Sequence, residues 1–257
     1  MGDWSAFPHA GAFHLDAAGV LQRWARLHAG DAEPPPADPA VLQAWVLFHN
    51  GDFAQACAAG LAAGGSGITV ANKATAIYAN YLEPSEKKRL DLFRLVATRA
   101  EQQAQATPAD PNAWYWHAYA LGRYSQGISI AKALAQGLGN KVKETLEKVI
   151  ALSPQHADAH LALGIFHAEV IDKVGALIGS MTYGAKKDVG LRMFRQGLEL
   201  HPGSVIGMVE YAHALLMLEG DSRMDEANRL YERAAAAEPQ DATERLDVDL
   251  AQAALAD

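Results

Sequence analysis

The chain has 257 residues, half of them hydrophobic, and a formal net charge of −8 at pH 7. This composition is ample for a buried core, and the acidic balance argues against general nucleic-acid binding, which needs a surplus of Lys and Arg. Cys57 is the single cysteine in the sequence, so an intramolecular disulfide and a cysteine-based zinc cluster are both excluded.

The N-terminal stretch MGDWSAFPHAGAFHLD has no basic region followed by an apolar one, so it does not resemble a secretory signal. No run of about 18 apolar residues occurs in the sequence, and no membrane-spanning helix is therefore expected. These two observations predict a cytoplasmic protein.

Two regions follow one another along the chain. Residues 1–38 hold one amphipathic helix, LDAAGVLQRWARLHAG, and a proline-rich acidic connector, DAEPPPADP, which we interpret as an N-terminal cap. Residues 39–257 show helical spacing of apolar residues almost throughout and are predicted to form one helical repeat domain. The residues after Pro239 are expected to be a polar C-terminal tail.

Helix-ending segments recur before prolines in the second region. TLEKVIALSP ends at Pro154, MFRQGLELHP at Pro202 and LYERAAAAEP at Pro239, and an earlier proline of the same series is Pro111. Successive spacings are 43, 48 and 37 residues, so one supersecondary unit recurs with inserts of different length.

The repeated unit resembles the tetratricopeptide repeat (TPR). In ADAHLALGIFHA, which follows Pro154, Leu163 and Gly164 stand at the Leu-Gly positions of the first helix of that repeat. The second helix before Pro239 supplies its small and aromatic positions with Ala227, Tyr231 and Ala234.

This resemblance implies an all-α, right-handed α-solenoid of about four helix pairs with an N-terminal helical cap. The order of pairs is also similar to a group of uncharacterised bacterial TPR-like proteins. A looser similarity links it to the T component of TRAP transporters, which is exported, so a transport role is not carried over.

Departures from the TPR repeat length of about 34 residues mark two inserts. The unit before Pro154 has an excess centred on SQGISIAKALAQGLGNK, and the unit before Pro202 has one centred on EVIDKVGALIGSMTYGAKKD. In each insert, apolar residues follow helical spacing, which predicts helices that run on without a break. The two apolar faces would either cover each other or line a groove for an apolar ligand or partner helix.

The inserts are basic, although the whole chain is acidic. From Arg123 to Lys148 the sequence holds five basic and two acidic residues, and from Asp172 to Arg195 it again holds five and two. Such a region could attract an acidic peptide, a carboxylate, a phosphorylated ligand or an anionic lipid surface. The alternative is a solvated face that pairs with acidic neighbouring repeats.

Neither the histidines nor any sequence motif indicates a catalytic or metal site. His156 and His160 are one helical turn apart, a spacing that two metal ligands can use, but His160 and His167 fall on packing positions of the TPR and favour a structural role. No GxSxG, P-loop, GxGxxG or HExxH motif occurs, so the sequence predicts neither an enzyme nor a bound metal or cofactor.

The sequence therefore predicts a non-catalytic scaffold that binds a protein segment through a concave groove and the basic inserts. The alternative is a protein that binds an anionic or apolar small molecule between the inserts. A partner protein or peptide is expected, without nucleic acid, and a homo-oligomer is possible. The candidate binding residues are Arg123, Lys132, Lys141, Leu161, Ile165, Glu169, Lys173, Tyr183, Lys186, Lys187, His213 and Met217.

Overall fold

Helices account for most of the structure, a computed structural model that describes residues 4–256. The described chain forms two units by its internal contacts. Unit 1 comprises residues 4–28, 33–129 and 240–243, and unit 2 comprises residues 29–32, 130–239 and 244–256. The all-α prediction is confirmed for the described residues, and the domain boundary predicted at residue 38 stays a prediction.

Unit 1 is a series of consecutive helices, each packed on the next. They are α1 (Ala17–Leu27), α2 (Pro39–His49), α3 (Phe53–Ala63), α4 (Gly67–Tyr81), α5 (Glu86–Ala106) and α6 (Pro111–Gln126).

Unit 2 contains the two inserts and the last repeats. Its elements are α7 (Ile130–Ala135), α8 (Leu138–Leu152), α9 (Ala157–Val174), α10 (Ala176–Tyr183), α11 (Lys187–Leu200), α12 (Val205–Glu219), a 3-10 turn (Gly220–Arg223), α13 (Met224–Ala235) and α14 (Ala242–Ala256), of which residues from 244 onward belong to this unit.

The prolines and capping residues explain where these helices begin and end. Pro111 occupies the first turn of α6, where its missing N–H costs nothing, and the Asp110 carboxylate accepts a hydrogen bond from the backbone N–H of Asn112 at 2.9 Å. Both α8 and α11 end two residues before a proline, Pro154 and Pro202. The series of prolines is therefore a series of helix boundaries.

Unit 1 encloses polar side chains that satisfy one another. His49 Nδ1 lies 2.7 Å from the Asp241 carboxylate, and His49 Nε2 lies 3.3 Å from Nε2 of His28. The rings of His28 and Trp24 stack with their centroids 4.1 Å apart. All four side chains are buried, so this cluster joins the segment 240–243 to α1 and α2 from within the core.

The core of unit 2 is built from α9, α11, α12, α13 and α14. Phe194 of α11 stacks on Tyr211 of α12 with ring centroids 5.2 Å apart, and both rings are buried. Gly164 of α9 allows this arrangement, because a Cβ there would lie 2.8 Å from the Phe194 ring. The Leu-Gly position of the TPR resemblance thus has a direct steric role.

The expected polar C-terminal tail is wrong, because the chain after Pro239 forms helix α14. Val248 and Ala251 are buried in the unit 2 core, whereas Leu250 between them is exposed. The acidic residues interspersed in LDVDLAQAALA hid this apolar face from a composition-based interpretation. A helix with one buried face accommodates both kinds of residue.

Candidate functional site

Glycines interrupt both inserts, so the predicted continuous helices are wrong. Helix α9 ends at Gly175, which has φ 81° and ψ 157°, and α10 ends at Gly184, which has φ 65°. In the first insert, Gly137 has φ 63° and separates α7 from α8. Positive φ is readily adopted by glycine and strained for other residues, so the chain changes direction at these points.

Helix α10 exposes the apolar side chains that the sequence predicted to be covered or to line a groove. Leu177, Ile178 and Met181 are 74%, 56% and 81% exposed. They lie on one face, because residues three and four apart are neighbours on a helix surface. Ile130 and Leu134 of α7 are also exposed, and none of the residues of α7 is buried.

The opposite side of α10 is packed against the unit. Gly179 is buried, and a Cβ added to it would lie 3.2 Å from Cγ1 of Val170 in α9. The Tyr183 ring lies on Gly139 of α8, where a Cβ would be 2.6 Å from Cε1 of the ring. Tyr183 therefore joins the two inserts directly, and α10 has one attached face and one exposed face.

Lysines precede and follow α10 in the sequence. Lys173 Nζ lies 2.6 Å from the Glu169 carboxylate, and Lys187 Nζ lies 2.9 Å from that of Glu219. Lys186 is exposed immediately before α11. Residues 174–185 between Lys173 and Lys186 contain no charged side chain, so an apolar helix has basic residues at both ends.

Other basic residues of the inserts have different surroundings. Lys132 of α7 and Lys141 of α8 are exposed. Lys143, which was not among the candidate binding residues, pairs with Glu147 at 2.7 Å, and its Cε would be 3.8 Å from a Cβ on Gly184. Arg123 belongs to unit 1, where its Cζ lies 5.4 Å from the centroid of the Tyr119 ring.

The candidate groove residues separate into buried and accessible ones. Leu161 is 4% exposed and lies in the unit 2 core, where its side chain fills space left by Gly197 and Gly207. Ile165 is partly buried against the same core. Leu161 is therefore not available to a partner.

Two further candidate groove residues, His213 and Met217, lie on α12. The His213 ring is half-buried, with its centroid 5.6 Å from that of the Tyr231 ring, and the Met217 side chain is exposed. These two side chains remain accessible for contact.

His156, His160 and His167 make structural hydrogen bonds. His156 Nδ1 accepts a hydrogen bond from the backbone N–H of Ala159 at 3.1 Å and so caps α9. Nε2 of His160 lies 3.0 Å from the carbonyl oxygen of Pro154. His167 Nδ1 accepts the backbone N–H of Lys186 at 3.2 Å.

Burial, helped by the nearby Lys143 charge, lowers the pKa of His167 to about 4. The His167 ring is therefore neutral near pH 7, as its acceptor role requires.

Metal-binding clusters and membrane-spanning helices are both missing from residues 4–256. No group of three or more His, Cys, Asp or Glu side chains in this range is arranged to hold a metal ion. Each helix in the same range is either too short or too polar to span a lipid bilayer.

Comparisons with known proteins place the fold and the family. The structure superposes on that of a thermophilic TPR protein from Thermus thermophilus with a TM-score of 0.58 and 16% sequence identity, over 83% of this chain and 97% of that one. The predicted TPR-like helical repeat fold is thus confirmed. No curated protein sequence matches the chain.

A family model described as "Regulator of microtubule dynamics protein 1-3" matches residues 69–245. These residues include most of α4 and all of α5 through α13, and therefore both inserts. Since they make up well over half of the 257 residues, the chain belongs to the Regulator of microtubule dynamics protein 1-3 family.

Proposed function

We propose that the chain is a non-catalytic scaffold that binds a segment of a partner protein on the insert surface of unit 2. We define this surface as α10 with its flanking lysines, Lys173, Lys186 and Lys187. The observation that carries the proposal is the exposed apolar face of α10 between basic residues, on a TPR-like fold. Helical repeat arrays present extended surfaces to peptides and partner helices.

The charge distribution of the chain favours a partner segment that is acidic. The net charge of the chain is −8, yet the stretch Asp172 to Arg195 carries five basic and two acidic residues. A local basic region on an acidic molecule steers an acidic segment to one place and repels it elsewhere, which favours rapid and oriented association.

The accessible groove residues extend the same proposal. Ile165 and Glu169 of α9, together with His213 and Met217 of α12, would contribute a second strip of contacts, because α9 and α12 pack on each other within unit 2. The set combines apolar side chains with one carboxylate, so it suits a segment with apolar residues better than a bare C-terminal carboxylate.

A partner protein is preferred to a small ligand between the inserts. Tyr183 of one insert lies on Gly139 of the other, so protein atoms already occupy this point of contact. From the family description we carry over to this chain only the expectation of a protein partner.

Charge reversal in the insert surface tests the scaffold function. Peptides that bind the purified chain are first selected from a random library. Their binding is then measured by fluorescence anisotropy. For a selected peptide we expect Lys186→Glu with Lys187→Glu to weaken binding about tenfold, because an oppositely charged contact becomes repulsive.

A matched control is available in unit 1, where Lys87 and Lys88 are also adjacent, exposed and at the start of a helix. Lys87→Glu with Lys88→Glu should leave the affinity unchanged. Circular dichroism melting curves check that both variants fold. Failure of the library to give any binding peptide would contradict the scaffold function, and equal weakening by both variants would contradict the assignment to this surface.

A further inference from the structure

The exposed side chains of α10 are held on a fixed helix. Backbone hydrogen bonds hold both ends of this helix. The N–H of Gly179 donates to the oxygen of Gly175 at 2.9 Å, and the N–H of Gly184 donates to the oxygen of Ser180 at 3.0 Å. The N–H of Ala185 donates back to the oxygen of Gly179 at 3.1 Å. Leu177, Ile178 and Met181 thus point outward from an anchored element.

A contiguous apolar face of this kind marks an interaction surface. Single exposed apolar residues are normal on soluble proteins, but three large ones within five positions of a helix form a patch. No charged or amide side chain lies between residues 174 and 185. The patch therefore suits another apolar face, with specificity supplied by the charges at its edges.

The edge charges suit an acidic protein segment. Lys173 and Lys187 form surface ion pairs with Glu169 and Glu219, and such pairs contribute little in water, so they can exchange for a partner's carboxylates. A second copy of this chain related by two-fold symmetry would bring the same lysines face to face, and like charges would oppose that pairing.

A protein helix fits this surface better than a lipid surface does. Anionic lipid surfaces are typically bound by clusters of about four to eight Lys and Arg, whereas this surface has three lysines, of which Lys173 and Lys187 already pair with Glu169 and Glu219. The face consists of Leu177, Ile178 and Met181, and the flexible side chain of Met adapts readily to the surface of a partner helix.

We propose that α10 docks an amphipathic helix of a partner protein, whose apolar stripe covers Leu177, Ile178 and Met181 and whose flanking acidic side chains meet Lys173 and Lys186. This docking role rests on the scaffold function proposed above and names the chemistry of its partner. Apolar anchors at helical spacing are the recognition mode of a helix laid into a hydrophobic surface.

The test uses the full chain and two designed peptides of about 18 residues, long enough for five helical turns. One has a leucine stripe flanked by Glu, and the other has Lys in place of each Glu. We expect the Glu peptide to bind with a Kd of about 10 μM and the Lys peptide at least about tenfold more weakly. Stronger or equal binding of the Lys peptide would overturn the proposal.

Removing the apolar anchors gives the second arm. Leu177→Ser with Met181→Ser should weaken Glu-peptide binding by about tenfold or more, because the apolar contact area is lost. The control is Leu95→Ser in α5, which removes another exposed leucine, 52% exposed, from unit 1 and should change nothing. Unchanged binding in the double variant, with both proteins folded by circular dichroism, would overturn the assignment to α10.

Vesicles of phosphatidylcholine and phosphatidylserine form the third arm. Vesicle binding that the double variant abolishes, without Glu-peptide binding, would show a membrane surface and overturn the proposal, as would no binding of either probe. If library-selected peptides bind but are insensitive to Leu177→Ser with Met181→Ser, the scaffold function stands and the docking role of α10 fails. If no library peptide binds either, both fail.

Discussion

Gly164 sets the approach of α9 to α11 at the residue scale. Its position was identified from the Leu-Gly pattern, but the reason lies in the Phe194 ring, which occupies the space where a Cβ would be. Gly122 in α6 is the natural comparison, because no atom outside its own helix lies within 4 Å of a Cβ built there. One helical glycine is required by packing and the other is not.

Alanine substitution separates these two roles. Gly164→Ala should lower the free energy of unfolding by roughly 1–3 kcal/mol, because the Phe194 ring must shift in a packed core. Gly122→Ala should raise it by about 0.5–1 kcal/mol, because alanine is the better helix former. Urea unfolding monitored by circular dichroism measures both changes. Destabilisation of similar size at the two positions would contradict the steric explanation.

Leu161 has the helical spacing of a groove residue, yet its side chain is buried. Helical spacing places it beside Ile165, and the sequence alone assigns both to a groove. In the structure the Leu161 side chain enters the space left by Gly197 and Gly207, which belong to other helices. A contact between distant elements of this kind has no signal in local periodicity.

At the scale of elements, the helix pairs were predictable and the geometry of the inserts was not. Prolines are local signals, and they gave the ends of α8 and α11 and the beginning of α9. Apolar spacing is also local, but it continues across Gly175, where the backbone leaves the helix with positive φ. A glycine in a helical pattern is compatible with either a continuous helix or a break, so packing decided the outcome.

His167 connects α9 to the beginning of α11 and makes that connection sensitive to pH. Its Nδ1 can accept the Lys186 N–H only while the ring is neutral, and burial lowers the pKa of His167 from 6.5 to about 4. As the pH falls below 6.5, the unfolded chain takes up a proton before the folded one does. The stability contributed by the neutral ring is therefore complete above this range and is lost progressively as the pH falls towards 4.

Comparison with His167→Gln isolates this effect from the titration of carboxylates. Between about pH 7 and pH 4.5, the unfolding free energy of the natural chain should fall by roughly 1–3 kcal/mol more than that of the variant. Urea unfolding across this pH range provides the measurement. Parallel pH profiles for the two proteins would contradict the role assigned to the ring.

At the scale of the whole molecule, the charge distribution is the sequence signal on which the proposed function rests. The sequence alone showed that the two inserts are basic within an acidic chain and attributed function to that region. The sequence did not show which apolar residues stay exposed. Leu177 and Met181 have the helical spacing that buried apolar residues of a helix also have. The breaks at Gly175 and Gly184 left α10 with one attached face and one exposed face.

Photo-crosslinking tests most directly whether a protein segment binds at the insert surface. The reactive p-benzoylphenylalanine replaces Met181 in one protein and Leu95 of α5 in a control, and each is irradiated with a library-selected peptide. An apolar aromatic group at position 181 retains the apolar contact. We predict a covalent peptide adduct at position 181 and none above background at position 95. An adduct at position 95 without one at position 181 would contradict the proposed binding surface.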